Sequence, residues 1–208
     1  MVDQAQVQAY SEADFSDSNR SFVEYIATRH TNFAGHVLDI GCGPADVDVL
    51  LAEKLSRASI LAIDGSSTML DAGLKKIKQL NLADRIELKE SRIPDQSIPA
   101  DQYDLIISKD LLHHLPEPMV FWNEVMRLAS PTTTIYLMDL WRPASQEQAR
   151  EIVASSSGTD PEVLQTDFYN SLLAAYTVEE ISAQLEMTQL RYAIEFIGAR
   201  HFIVRCTL

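Results

Sequence analysis

The sequence has few cysteines, no long apolar run and no recognisable targeting segment. Two cysteines in 208 residues, Cys42 and Cys206, are too few for a disulfide framework and lack metal-ligand spacing. No apolar stretch approaches the roughly 18 residues of a membrane span. The first residues are polar and acidic, unlike a signal or transit peptide. We therefore expect a cytoplasmic protein that has no membrane-spanning part.

Basic residues are also scarce. Seventeen Lys and Arg stand against thirty Asp and Glu, which gives a formal net charge of −13. Such a surface repels phosphate backbones and anionic lipid, and no run of basic residues reverses the charge locally. Nucleic acid and membrane are therefore not expected as partners, and a small molecule is the expected substrate. Nothing in the sequence indicates the oligomeric state.

Short apolar runs alternate with helical patterns through the first two thirds of the chain. Strands of this kind, continuous rather than alternating, indicate a parallel sheet covered by helices on both faces. The prediction is a doubly wound α/β fold with a mostly parallel seven-stranded sheet. The predicted strands are residues 36–40, 59–63, 85–88, 103–107 and 134–138, followed by 191–197 and 201–207.

The rhythm breaks after the fifth strand. Residues 143–185 are helical in pattern, with no strand, and predict a cap, while the two final runs around Gly198 read as an antiparallel hairpin. One domain is expected, with a helical lid in 1–35, a ligand-binding core in 36–142, the cap, and the hairpin in 186–208. Aromatic candidates for covering the site are Tyr10 and Phe15 in the lid and Phe168, Tyr169 and Tyr176 in the cap.

A glycine loop ends the first strand, in the run Asp39-Ile40-Gly41-Cys42-Gly43. In doubly wound sheets, ligands bind at the carboxyl ends of the strands, and glycines there allow close backbone approach. The acid at Asp39 suits a ligand with an ammonium group and disfavours a pyrophosphate. Val37 through Gly43 resembles motif I of the class I S-adenosylmethionine (SAM)-dependent methyltransferases. The resemblance implies SAM as cofactor, with its methionine end on this loop; Ala45 departs from the family's usual third glycine.

The second strand ends at Asp64, in a segment that continues Gly65-Ser66-Ser67-Thr68-Met69. An acid at this position accepts the two ribose hydroxyls of an adenosine. By the same resemblance, Asp64 binds the ribose, Gly65 and Ser66 line the pocket, and Met69 packs on the adenine. The alternatives are a helix N-cap for Asp64 and ordinary core packing for Met69.

Two weaker signals follow the third and fourth strands. The family usually has an acid for the adenine amino group where this chain has Ser91, so Ser91 and Arg92 are predicted to take the adenine contact.

Lys109 stands where the family's strand-end residue contacts SAM. The following segment, through His113-His114-Leu115-Pro116, resembles the family's post-strand-four loop, and His114 is a candidate general base. Packing and helix capping are the alternative roles for these histidines.

No metal site is predicted. Asp110, His113 and His114 are close in sequence, but adjacent histidines on one helical turn are expected to point apart.

The predicted activity is methyl transfer from SAM to a small molecule. The main alternative is a SAM-binding protein without catalysis, acting in regulation or assembly. An NAD-dependent dehydrogenase is a third reading, but its fingerprint requires a glycine where Asp46 stands.

Overall fold

A computed structural model describes residues 16–158 and 160–208. Its described residues form seven strands: β1 (His36–Ile40), β2 (Ser59–Asp64), β3 (Ile86–Glu90), β4 (Tyr103–Lys109), β5 (Ala129–Leu140), β6 (Arg191–Ile197) and β7 (His201–Thr207). They also form the helices α1 (Ser16–Ala27), α2 (Asp46–Lys54), α3 (Ser67–Gln79), α4 (Pro118–Leu128), α5 (Gln146–Ser157), α6 (Glu162–Ala174) and α7 (Val178–Glu186), with a short 3-10 helix at Leu112–His114.

All seven strands belong to one sheet, in the order β3-β2-β1-β4-β5-β7-β6. Strands β1 to β5 run parallel, while β7 pairs antiparallel with both β5 and β6. The predicted fold is therefore confirmed, including the antiparallel hairpin at the end. The strand order reverses between β1 and β4, and the crevice that forms there is where ligands bind in such sheets.

Two hydrophobic layers cover the sheet, and strand alternation assigns the side chains of β1 to them. Val37 lies in the layer with α1, α2 and α3, whereas Leu38 and Ile40 lie in the layer with α4 and α7. Because successive side chains of a strand point to opposite faces, Asp39 lies on the same face as Val37. That face is covered by α2, so the Asp39 side chain lies against the side chains that α2 directs toward the sheet.

The predicted cap is helical and consists of α5, α6 and α7. Leu140, Ala149, Val153, Leu172 and Ala175 form a separate small core between the cap and the end of β5. Each of α5 and α7 begins at a side-chain cap, Ser145 and Thr177 respectively, which explains where the helical pattern divides.

The described part of the N-terminal segment is α1, which packs on the sheet through side chains that are at most 1% exposed, at Phe22, Val23 and Ile26. Tyr10 and Phe15, named as lid residues, lie outside the described residues. In the described ranges, no helix has the length and apolar character needed to cross a membrane.

Candidate cofactor and active site

The glycine loop is folded back over the end of β2 by its own backbone. The N–H groups of Gly41 and Cys42 both donate to the carbonyl of Ile63, at 2.8 and 3.0 Å. Gly41 and Gly43 have positive φ values of 82° and 54°, a conformation that glycine adopts at little cost. A Cβ on Gly43 would meet nothing within 4 Å, so the space above this residue is open to a ligand.

Ala45 explains why a glycine is usual at its position. Its φ is 60°, in the left-handed region, which costs a residue with a Cβ roughly 1–2 kcal/mol. The space that its methyl group needs comes from α3, where Gly73 faces Ala45 and a Cβ on Gly73 would approach the Ala45 Cβ to 3.2 Å. The departure from the motif is thus accommodated by packing, and the loop keeps its shape.

Asp64 is held by the loop that it faces. Its Oδ2 accepts the N–H of Gly43 at 2.9 Å, and its Oδ1 accepts the N–H of Ser66 at 2.8 Å. The N-cap of α3 is Ser66, whose Oγ accepts the N–H of Met69 at 3.4 Å, so Asp64 does not fill the capping role. Since each carboxylate oxygen accepts more than one hydrogen bond, the half-buried carboxylate retains acceptor capacity for hydroxyl groups.

The other residues predicted around the adenosine lie beside Asp64. The N–H of Ser91 donates to the Asp64 carbonyl at 3.0 Å, and the guanidinium of Arg92 donates to the Gly65 carbonyl at 3.0 Å. Met69 is only 2% exposed, a burial that ordinary core packing also produces. The structure therefore brings these residues together at the end of β2, and their contacts to a ligand stay predictions.

An acid that the sequence pattern did not indicate lies beside Ser91. The Ser91 hydroxyl donates to Asp95 Oδ2 at 2.7 Å, and the N–H of Ser97 donates to Asp95 Oδ1 at 2.8 Å. Bonds from Ser91 and Ser97 lower the pKa of Asp95 to about 2, so it is ionised at neutral pH. A carboxylate therefore lies next to the position where the family usually has one, displaced by four residues in the chain.

Below the loop lies a second unpredicted acid, Asp48 of α2. Asp39 and Asp48 are 2% and 0% exposed, and burial raises the pKa of both carboxyls. The neighbouring Cys42 is a buried thiol whose pKa is raised by burial and then by the charges of Asp48 and Asp39. Cys42 is therefore a neutral thiol, which is consistent with a small side chain packed inside the loop.

Lys109 ends β4 and forms an ion pair with Asp110, the residue that follows the strand. His201 of β7 adds a second positive neighbour, with Nε2 3.4 Å from Asp110 Oδ1. Burial opposes ionisation of Asp110, but Lys109 and His201 outweigh it and hold the pKa of Asp110 below its usual range. Lys109, predicted to contact the cofactor, is thus directed to Asp110 by an interaction within the chain.

The two histidines after β4 occupy different environments. His113 is buried, and its Nδ1 lies 2.5 Å from Oδ1 of Asp139, while its backbone N–H donates to Oδ2 at 3.3 Å. Burial opposes protonation of His113, but the Asp139 carboxylate raises its pKa above 6.5. His114 is exposed at the edge of the site. Desolvation by nearby protein atoms, followed by repulsion from His113, lowers the pKa of His114 to about 4.

The expectation that these histidines point apart is wrong. Their ring centroids are 4.0 Å apart with the planes tilted by 43°, because the turn is a single 3-10 turn and the rings fold against each other. Within the part of the chain that the structure describes, no three His, Cys, Asp or Glu side chains are arranged to hold a metal ion.

The helical cap closes the β4–β5 side of the site. Helix α6 packs against the 3-10 helix, and the hydroxyl of Tyr176 donates to the Leu115 carbonyl at 3.3 Å. Phe168 and Tyr169 are partly buried, with the guanidinium groups of Arg200 and Arg150 over their rings at 4.9 and 5.7 Å. The aromatic residues predicted as pocket walls are therefore on the cap that faces the histidines.

Part of the sequence, and the fold as a whole, are similar to those of known proteins. Residues 37–132 match the family model described as Methyltransferase domain. Demethylmenaquinone methyltransferase of Lactiplantibacillus plantarum is 26% identical over 119 residues, which are 57% of this chain and 50% of that protein. Malonyl-[acyl-carrier protein] O-methyltransferase of Priestia megaterium is 35% identical over 100 residues, 48% of this chain and 34% of that protein. The chain thus spans at most about half the length of these curated relatives.

Solved structures share the whole fold. A SAM-dependent methyltransferase from Aquifex aeolicus superposes with a TM-score of 0.74 at 20% identity, over 99% of this chain and 98% of that one. The plantazolicin methyltransferase BpumL, solved in complex with a triazolic desmethylPZN analog and S-adenosylhomocysteine (SAH), superposes with a TM-score of 0.74 at 17% identity. The match covers 98% of this chain and 90% of that one. At these identities the likeness concerns the fold, and the family match covers the segment that carries the motifs.

Proposed function

We propose, for this member of the class I SAM-dependent methyltransferase superfamily, the transfer of a methyl group from SAM to a small-molecule acceptor. The observation that carries the proposal is the joint geometry of the glycine loop and Asp64. The loop leaves open space over Gly43, and the carboxylate beside it is fixed by the N–H groups of Gly43 and Ser66. A ligand with a ribose at Asp64 and a second polar end over the loop fits this arrangement.

The cofactor is SAM, which supplies an electrophilic methyl group on a sulfonium. The protein's own contribution is orientation: Asp64 would hold the ribose, the 41–43 loop the methionine end, and Ser91, Arg92 and Asp95 the region of the adenine. Orientation of two reactants alone contributes up to about 10 kcal/mol to a displacement. No covalent intermediate with the protein is required.

The buried acids under the loop argue against a dinucleotide. Asp39 and Asp48 are both almost fully inaccessible to solvent, and Asp46 is the first residue of α2. A pyrophosphate placed on this loop would add negative charge beside these carboxyls and would disfavour their ionisation still further. The ammonium of a methionine moiety has the opposite charge. The same ligand end that fits the loop sterically therefore fits it electrostatically.

The acceptor side is formed by the 3-10 helix, the end of β5 and the cap. His114 is exposed and, with a pKa of about 4, is neutral at pH 7, so its ring is a proton acceptor, although a weaker base than an ordinary histidine. His113, fixed by Asp139, is a positioning residue that packs against the His114 ring. The two curated relatives are named for different acceptors, which supports the reaction type and leaves the acceptor open.

The net charge and the free cysteines support two further parts of the proposal, an acceptor that is not a nucleic acid and a location in the cytoplasm. The formal net charge of −13 disfavours nucleic acid as an acceptor. Cys42 and Cys206 are free, buried cysteines, which fits the reducing conditions of the cytoplasm.

The test is calorimetric titration of the purified protein with SAM and, separately, with NADH. We expect SAM to bind and NADH not to bind. Asp64→Ala should weaken SAM binding by at least about 100-fold, because a hydrogen bond to a charged group contributes roughly 1.5–3 kcal/mol and two hydroxyls are involved. Asp71→Ala, which removes an exposed acid from α3, is the charge-matched control and should bind like the wild type.

Failure of SAM to bind would overturn the proposal.

If SAM binds, catalysis is tested by incubating the protein with SAM and the small-molecule fraction of a cell extract. Formation of S-adenosylhomocysteine is expected, whereas binding without turnover across such fractions would favour the non-catalytic SAM-binding protein.

A further inference from the structure

Two carboxyl groups lie buried against each other beneath the glycine loop. Asp39, at the end of β1, is 2% exposed, and Asp48, in the first turn of α2, is 0% exposed. Among the described residues, no N–H or O–H group forms a hydrogen bond of ordinary geometry with Oδ1 of Asp39 or with either oxygen of Asp48. A buried carboxylate without donors costs several kcal/mol, so three such oxygens at one place require a physical explanation.

The explanation available within the fold is a shared proton. Asp39 and Asp48 are within hydrogen-bonding reach of each other, and two carboxyls hydrogen-bond only when at least one of them is protonated. Burial, then the charge of Asp48, raises the pKa of Asp39 well above its ordinary value. Burial raises the pKa of Asp48 to about 7, although its bond with Asp39 works in the opposite direction. At neutral pH the pair therefore retains a proton.

Other charged groups face the pair from each neighbouring element. Asp64 of β2 and Asp46 of α2 disfavour ionisation, and Lys109 of β4 and Lys76 of α3 favour it. Both lysines are already engaged, Lys109 with Asp110 and Lys76 with Asp46. Neither cation is therefore free to neutralise the buried pair.

We propose that the Asp39–Asp48 pair holds a proton in the free protein and releases it to solvent when the ammonium of the cofactor's methionine end binds at the glycine loop. This inference rests on the proposed function. The O–H bond of the shared proton breaks, the proton goes to a buffer base, and the ammonium remains protonated. The ammonium then supplies the positive charge that the fully ionised pair lacks. Asp48 becomes a positioning residue for the cofactor, acting through Asp39.

A purely structural role for Asp48 is the competing explanation. An acid in the first turn of a helix is stabilised by the helix dipole, and α2 has no side-chain cap, since Ala45 stands at its N-cap. That role gives no reason for proton release on ligand binding. Proton counting therefore separates the two explanations.

The experiment is calorimetry at pH 7 in buffers of different ionisation enthalpy, which counts the protons released on binding. The ligands are S-adenosylhomocysteine, which carries the ammonium, and 5′-methylthioadenosine, which shares the adenosine and thioether but has no amino acid. We expect the release of about one proton with the first ligand and none with the second. Equal release with both ligands would overturn the inference, and this comparison requires no variant.

Asp48→Asn provides the second arm. The asparagine amide is able to donate to Asp39, which then ionises without a partner acid, so S-adenosylhomocysteine should still bind and the release should fall close to zero. Asp71→Asn, at an exposed site on α3, should keep the wild-type proton count. A wild-type count in Asp48→Asn would contradict the inference while the cofactor assignment stood. Absence of any binding by the wild type would instead remove the proposed function.

Discussion

Both sides of the site contain buried acids, but the two sides differ in what those acids contact. On the cofactor side, Asp39 and Asp48 have three oxygens without a donor from the described residues. On the acceptor side, Asp139 accepts from the His113 ring and backbone, and from the N–H of Leu140 at 2.7 Å. Asp139 is satisfied by the fold itself and fixes a neighbouring side chain. The Asp39–Asp48 pair receives no such donors, and the cofactor proposed for the glycine loop would bring a positive charge to it.

The largest expected effect that separates the two sides is a loss of catalytic rate when His114, on the acceptor side, is replaced. If His114 accepts a proton from the acceptor, His114→Gln should lower the rate of S-adenosylhomocysteine formation by about 100-fold, the lower range for general-base catalysis. SAM affinity should be unchanged, because Asp64 and the glycine loop lie on the other side of the site.

The matched control is His36→Gln. His36 begins β1, at the N-terminal ends of the parallel strands and so at the opposite end from the site, and its Nδ1 lies 2.7 Å from Ser59 Oγ. Equal rates in the His114 and His36 variants would show that no base at position 114 is needed.

A smaller effect is expected on stability as the pH changes. The folded-state pKa of Asp48 is about 7, against an ordinary 3.8, so the folded protein binds its proton more tightly than the unfolded chain does. This contribution to stability is complete below pH 3.8 and is lost as the pH rises through 7. Wild-type unfolding free energy should therefore fall by about 1.4 kcal/mol per pH unit more steeply than that of Asp48→Asn between these limits.

Denaturant unfolding at pH 4.5, 5.5 and 6.5 measures this difference in slope. His113 has a raised pKa as well, and its contribution is lost above pH 6.5, but it is common to both proteins and cancels. Parallel pH curves would show that Asp48 is not the group that titrates.

The smallest expected effect is a change in stability in the cap, where a helix-capping interaction stabilises the fold whether or not a ligand is bound. In the capping box of α7, Thr177 Oγ1 accepts the N–H of Glu180 at 3.2 Å, and Glu180 accepts the N–H of Thr177 at 2.9 Å. Thr177→Ala should cost about 1 kcal/mol and lower the melting temperature by roughly 2–4 °C.

Thr166→Ala, at an exposed position within α6, is the control and should be neutral or slightly stabilising. SAM affinity should be unchanged in both variants. A loss of affinity in Thr177→Ala would show that the cap and the cofactor side are coupled.

Local patterns predicted the elements that carry the cofactor side. The bounds of β1, β6 and β7 agree with the sequence prediction, because apolar runs bounded by loop residues are short-range signals. Strand β5 begins at Ala129, five residues before its predicted start at 134. Its first residues are held by tertiary contacts, such as the bond from the Thr133 hydroxyl to the Tyr103 carbonyl at 2.6 Å, which no local pattern reveals.

The acids divide in the same way. Asp39 and Asp64 were predicted as ligand-binding residues because each ends a strand. Asp48 was passed over, although an acid between Val47 and Val49 on an apolar helix was a visible signal. Asp95 was missed because a loop, rather than a strand end, brings it to Ser91.

The sequence by itself determined the alternation of strands and helices, the glycine loop and the acid that follows β2. These depend on hydrophobic period and backbone conformation, which act over a few residues. Only the tertiary structure decided which distant groups meet: Asp39 with Asp48, His113 with Asp139, and Asp110 with His201. Packing sets how much water each group loses and which charge it faces, and these two quantities determine whether a buried acid fixes its neighbours or binds a ligand.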